Sequence, residues 1–287
     1  MSQVKTINAP FEELRRASAA NGGTALSSTA TLIALPEEAD WVSCIAHNFV
    51  GALVAKLSFN PYLTIIRTLD LLVSEGVNLS SELQDGDTTD VAMDAFDTFA
   101  NGDAIYVGSW MPFSGCKVTV GSDPQNSLSV LTVDYWNGSA WTAITETDGT
   151  ETGGNTTFAQ TGDVTWTVPA AWQVASLQAI DNIAATIGAD AAQFKSFLSK
   201  RPYIAPLYWT RWTVSAATEA TWNLVGIQPL NRSTSLYSEW PEGFGPEMSI
   251  TVGPDGFSCI EALVNAGSAS LVVNVASRPD TTTRRMA

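Results

Sequence analysis

Charge is scarce in this chain of 287 residues: Asp, Glu, Lys and Arg together make only 15% of it. Bases are scarcer still, 14 against 29 acids, which leaves a formal net charge of −15. No base occurs between Lys117 and Lys195, and the stretch from Glu82 to Asp103 is acidic throughout. Phosphate backbones repel such a surface, so direct nucleic-acid binding is not expected. There is a single histidine, His47, and there are three cysteines, Cys44, Cys116 and Cys259, none in a CxxC pair. An odd, unpatterned set implies no disulfide framework, and four His and Cys residues in all are too few to suggest a zinc site. A Ser or Cys nucleophile needs a base held by a third group. His47 lies in a run that alternates toward a core, and Cys44, three residues away on a strand, falls on the opposite face. No GxGxxG or P-loop pattern occurs to cradle a phosphate.

Long apolar runs are also missing. No stretch of 18 apolar residues exists, so no membrane-spanning helix is predicted. The first residues, MSQVKTINAPFEELRR, show no signal-like apolar run, which predicts synthesis in a reducing cytoplasm with free thiols. The hydrophobic fraction, 45%, is too high for a disordered chain.

What the chain does have is tryptophan, ten residues, set among Ser, Thr, Asn and Gly. From residue 103 onward, DAIYVGSW, GCKVTV, LSVLTVDYW, AWTAITE and DVTWTVP alternate with turn-forming clusters, the pattern of an antiparallel sandwich. Val164, Trp166 and Val168 share one face of their strand. YWTRWTVSA and TWNLVGI continue the series. Residues 173–205 break it with Ala-rich text of helical spacing and predict a helical insertion. APFEELRRASAA predicts a short helix within an N-terminal arm, residues 1–30. YLTIIRTLDLLV reads as a strand or a buried helix, and DVAMDAFDTFA as a helical turn. VSCIAHNFVGALVAKLSFNP (42–61) echoes FSCIEALVNAGSASLVVNVASRP (257–279). If those hairpins pair, the chain ends share one sandwich. The predicted organisation is therefore the arm, a first β-sandwich from 31–102 with 225–287, and an inserted second sandwich from 103–224.

The densest aromatic text is DYWNGSAW, residues 134–141. Asn137-Gly138 is the strongest short-range hairpin signal. A two-residue loop there pairs Trp136 with Ser139 and Asp134 with Trp141, and puts Trp136 and Trp141 diagonally on one face. Three uses of that face stay open: a core joined by Trp166, the apolar centre of a contact between subunits, or a platform for sugar rings that includes Trp240. Paired carboxylates of a glycosidase are not singled out among so many acids. DGDTTD and ETDGTE offer oxygen ligands for a calcium ion, or simply turn chemistry. No catalytic, cofactor-binding or metal residue is assigned. The candidate interaction residues are Trp136 and Trp141 with the terminal bases Arg15, Arg16, Arg284 and Arg285.

The segments DAIYVGSWMPFSG, LSVLTVDYWNGSAWTAITETDGT, FAQTGDVTWTVPAAW and YWTRWTVSA, in that order, resemble a family of tailed-bacteriophage virion structural proteins. The likeness spans residues 103–216, about 40% of the chain, and departs from the family's pattern at 173–205. It implies a β-sandwich on a virion, as a capsid-decorating, head-stabilising or tail-associated component, and carries no catalytic residue over. The partners it implies are copies of the chain itself and a major capsid or tail protein; a glycan is the other candidate partner. A fold made in the host cytoplasm without disulfides fits that setting.

Overall fold

A computed structural model describes residues 13–16, 23–29, 31–35, 41–51, 54–68, 77–80, 82–84, 91–93, 96–98, 103–180, 206–229, 237–241, 247–249 and 257–277. The protein is mainly β, with several antiparallel sheets of the β-sandwich class. It divides into two compact units, Met1–Ser58 with Ser238–Ala287, and Phe59–Tyr237.

The first unit contains β1 (Glu13–Arg16), β2 (Thr24–Leu26), β3 (Thr31–Ala34), β4 (Trp41–Val50) and the start of β5 (Val54–Pro61). The middle of the chain supplies β6 (Thr64–Thr68), β7 (Val77–Asn78), β8 (Val91–Ala92), β9 (Ala104–Ser109), β10 (Gly115–Val120) and β11 (Leu131–Trp136). It continues with β12 (Trp141–Ala143), β13 (Glu146–Asp148), β14 (Gly162–Trp166), β15 (Val174–Ala175), β16 (Leu207–Val214) and β17 (Thr221–Pro229). The chain then returns to the first unit with β18 (Tyr237–Pro241), β19 (Glu247–Ser249), β20 (Phe257–Val264) and β21 (Ser268–Ser277).

In the first unit one sheet runs β1-β21-β4-β19, with β2 also on β21, and a second runs β18-β5-β20-β3. The echoing hairpins do lie side by side: β4 pairs with β21 from Trp41↔Ala276 to Val50↔Ser268, and β5 neighbours β20. Their alternation is what sorts them. Val42, Cys44 and Ala46 on β4, and Leu271, Val273 and Val275 on β21, are buried, while Ile45 is exposed between them. Period-two burial of this kind makes a half-buried strand rather than a helix.

In the second unit one sheet runs β12-β11-β16-β9-β6-β7, with β15 also on β16, and its companion runs β13-β14-β10-β17-β8. Leu131 and Val133 of β11, Ile105 and Val107 of β9, Trp212 of β16, Val164 and Trp166 of β14, and Trp222 of β17 fill one core with Phe113 and Phe158. The expected face of Val164, Trp166 and Val168 is this one.

Several expectations are corrected. Residues 59–102 and 225–237 fall in the second unit, not the first, because β6 hydrogen-bonds along β9 from Thr64↔Gly108 to Thr68↔Ala104. Glu13–Arg16 is not helical: it forms an edge strand on β21, and pairing with a distant strand overrides a weak local helix preference. The ambiguous YLTIIRTLDLLV is a strand over Thr64–Thr68. In DVAMDAFDTFA, Val91–Ala92 is a strand, and Phe96 N–H donates to the Met93 carbonyl at 3.1 Å. Of the predicted helical insertion, Val174–Ala175 is a strand and Leu177–Ala179 a short 3-10 turn; residues 181–205 lie outside the described residues.

Candidate functional site: the aromatic hairpin and the outer face of its sheet

The hairpin at Asn137 forms, but in a different register. Trp136 pairs directly with Trp141, and Asp134 with Ala143, so the loop is the four residues 137–140. Asn137 explains the longer loop. Its side-chain Oδ1 accepts from the Ser139 and Ala140 backbone N–H groups, both at 2.9 Å, and its Nδ2 donates to the Thr142 hydroxyl at 2.9 Å. These bonds give the loop its own internal cap. Gly138 takes φ +98°, which a side chain would resist.

Direct pairing brings the two indoles together edge to face, 5.6 Å between centroids at 66°. Trp136 is only 7% exposed, and Trp141 is half-buried. Two rings at that angle, one of them buried, are not the coplanar exposed pair on which sugars stack. Trp141 also meets Tyr106 of β9 at 5.8 Å. Trp209 of β16 is fully buried and lies over Gly108 of β9, where an added Cβ would come 2.5 Å from the ring. Trp136, Tyr106 and Trp209 form a second cluster with Ile66, Leu177, Ile180 and Leu207. Trp166 does not join it. It lies on β14 of the companion sheet and sits in the core between the two sheets, against Trp212 at 6.2 Å, whereas Trp136 points to the face of its own sheet turned away from that core.

Residues 173–180 pass from the sheet, where β15 pairs beside the end of β16, onto this outer face, which Leu177 and Ile180 cover. Gln173 N–H donates to the Trp136 carbonyl at 3.0 Å, and the Trp209 indole N–H donates to the Ala175 carbonyl at 2.8 Å. Ser176 caps the short turn that follows by accepting from Ala179 N–H at 3.2 Å. Leu177 and Ile180 then seal the rings from water.

One ion pair crosses the face. Arg211 of β16 donates from Nε and Nη2 to Asp134 Oδ2 of β11 at 3.1 and 2.6 Å, and its guanidinium stands 5.1 Å from the Trp141 ring centre. The pair follows from register, since Asp134 lies directly opposite Arg211. Both side chains are largely covered, at 17% and 12% exposure. Burial pushes the Tyr106 hydroxyl's pKa well above its ordinary value, with Arg211 opposing and Asp134 adding to the shift. The Trp141 Nε1 is buried and has no hydrogen-bond partner among the described residues.

The acids of ETDGTE are turn builders. Thr150 donates its N–H and hydroxyl to Asp148 Oδ1 at 2.8 and 2.6 Å, and the Thr157 hydroxyl donates to Oδ2 at 2.6 Å. Glu151 Oε1 accepts from Asn155 N–H at 2.8 Å. Among the described residues no group of three His, Cys, Asp or Glu side chains could hold a metal ion. Glu146, on the strand leading into this turn, has its pKa raised, chiefly by burial and further by Asp148 and Asp134, with a bond to its own backbone opposing. Asp85, Asp87 and Asp90 lie outside the described residues.

The remaining candidates scatter. His47 is half-buried, and Cys44 is buried with its pKa raised by burial to about 12, which keeps it a thiol. Cys116 and Cys259 are buried too. Arg15 and Arg16 lie opposite Val275 and Asn274 on the edge of the first unit's sheet. Arg284 and Arg285 lie outside the described residues, and Trp240 is in β18. Arg211, Asp134, Tyr106 and Trp209 were not singled out from sequence. The signal that carries them is the alternation of YWTRWTV, which sends Trp209 and Arg211 to one face and Trp212 to the other.

The class defined by these features is an antiparallel, mainly-β protein whose central sheet is packed on both faces. Comparison with protein-family models, with curated proteins and with solved structures gives no match for the chain.

Proposed function

We propose that this chain is a non-enzymatic structural protein of a tailed-bacteriophage virion, a capsid-decorating or head-stabilising subunit that docks onto neighbouring subunits. The observation that carries the reading is the occupation of the hairpin's side chains. Trp136, Trp141, Asp134 and Arg211 bind each other and the sheet, and Asp148 and Glu151 close their own turn. Such a unit presents loops and edges to its surroundings, and it works by shape and repetition. The resemblance of residues 103–115, 128–150, 158–172 and 208–216 to virion proteins supports the same setting, as does an acidic, polar composition suited to dense display. A tail-associated place in the particle is the near variant of the same reading.

The test is the copy number of the chain in purified particles. Hundreds of copies in fixed ratio to the major capsid protein support decoration, and a handful supports a tail or vertex position. A chain left wholly in the lysate, with none in the particles, overturns the reading.

A further inference from the structure

Two pieces of the N-terminal segment share one edge of β21. The first, β1, pairs from Glu13↔Ser277 to Arg16↔Asn274; the second, β2, pairs from Thr24↔Leu271 to Leu26↔Ala269. On β21 only positions 272 and 273 separate the two ladders, and Leu271 to Asn274 is a step of about 10 Å. In the chain seven residues, 17–23, separate them, enough to reach about 25 Å when extended.

The two ladders are held differently. β2 is anchored by fit. Gly23 sits at φ +80°, where a Cβ would come 2.6 Å from the Leu271 carbonyl oxygen; Leu26 is 2% exposed; and Val264 N–H donates to the Ser27 carbonyl at 2.9 Å just beyond it. β1 lies at the outer edge of its sheet, and among the described residues its ladder is with β21 only. Removed, it would leave the Asn274–Ser277 edge with unpaired N–H and C=O groups, the template to which another strand adds. A β1 from a second copy restores the same ladder with no loss of pairing, which is the thermodynamic condition for strand exchange.

We infer that β1 is exchanged between copies: the edge of β21 at Asn274–Ser277 takes Glu13–Arg16 of a neighbouring chain when the protein assembles. The inference rests on the assembly reading above and names the contact that joins the copies. It is tested in full-length protein by co-expressing a chain carrying Arg16→Cys with a chain carrying Asn274→Cys, then oxidising mildly. The three native cysteines are buried and contribute little background. Exchange predicts a disulfide-linked heterodimer on non-reducing gels, absent when either variant is expressed alone. A single chain carrying both substitutions reports the register. If it closes on itself while the mixed chains never link, exchange is overturned; if it neither closes nor links, the β1–β21 pairing itself is wrong. Sedimentation of the untreated wild-type chain separates the two readings. An assembled protein without interchain disulfide sinks exchange alone, whereas a chain monomeric at every concentration and absent from particles sinks the assembly reading with it.

Discussion

Trp209 and Trp212 stand three residues apart in one strand, both fully buried, and they serve different cores. Trp212 faces the companion sheet and packs against Trp166 in a core built from two sheets. Trp209 faces the other way, and what covers it is a strap of a few residues, 173–180, together with Trp136 and Tyr106. A sheet filled on one side only would leave an aromatic surface for a ligand or a partner. Here the second side is filled from within the unit, so the tryptophan-rich hairpin is structural despite its position at the end of the sheet. The polar atoms differ accordingly. The inner face anchors Trp212 through Nε1 to the Thr210 hydroxyl at 3.0 Å, within the strand. The outer face uses an ion pair and a cation over a ring, groups that tolerate partial contact with water.

The contrast can be broken by substitution. Trp212→Ala should have the largest effect, a loss of about 3–5 kcal/mol in urea unfolding, since it empties the middle of the two-sheet core. Trp136→Ala should cost about 3 kcal/mol, the lower end of that range, because the strap can settle into part of the space. An equal or larger loss than for Trp212→Ala would show the outer face to be the dominant core. Asp134→Ala leaves Arg211 without its carboxylate and should cost about 2 kcal/mol, with a double-mutant cycle against Arg211→Met returning most of that as coupling. A coupling near zero would mean that the pair is held by the sheet and contributes nothing of its own.

The smallest effect concerns Glu146, whose pKa is raised from 4.5 in the folded protein. A raised carboxyl binds its proton more tightly when folded, so stability falls as pH rises from the unfolded value through the folded one. Glu146→Gln should therefore be slightly more stable than the parent at pH 7 and indistinguishable from it below pH ~4. A thermal-unfolding series over pH 3–7 reads this directly, and a variant less stable at neutral pH would contradict it.

Much of the fold was legible. Alternation in LSVLTVDYW and DVTWTVP, punctuated by Gly and Asn, marked the strands β11 and β14, and Asn137-Gly138 marked the hairpin between β11 and β12. What failed depended on contacts distant in sequence or on side-chain capping. The loop length turned on Asn137 Oδ1 reaching two backbone N–H groups, which moved Trp136 from Ser139 to Trp141. Parity shows that residues 134 and 136 share a face but not which core that face meets, so of the three uses left open the core joined by Trp166 does not form as stated. The strand at Glu13–Arg16 has helix-forming residues and is extended only because β21 offers an edge. The Asp134–Arg211 pair needed the register of β11 on β16, which no local pattern contains. In ETDGTE the turn chemistry was readable, because Asp and Thr two residues apart close such turns by themselves.

The central claim, that both faces of the second unit's sheet are closed cores, is tested most directly by hydrogen exchange of the indole N–H groups. Trp209 and Trp212 should both exchange slowly, on the timescale of global unfolding. A Trp209 that exchanges as fast as an exposed indole, beside a protected Trp212, would show that the outer face stands open and contradict the account.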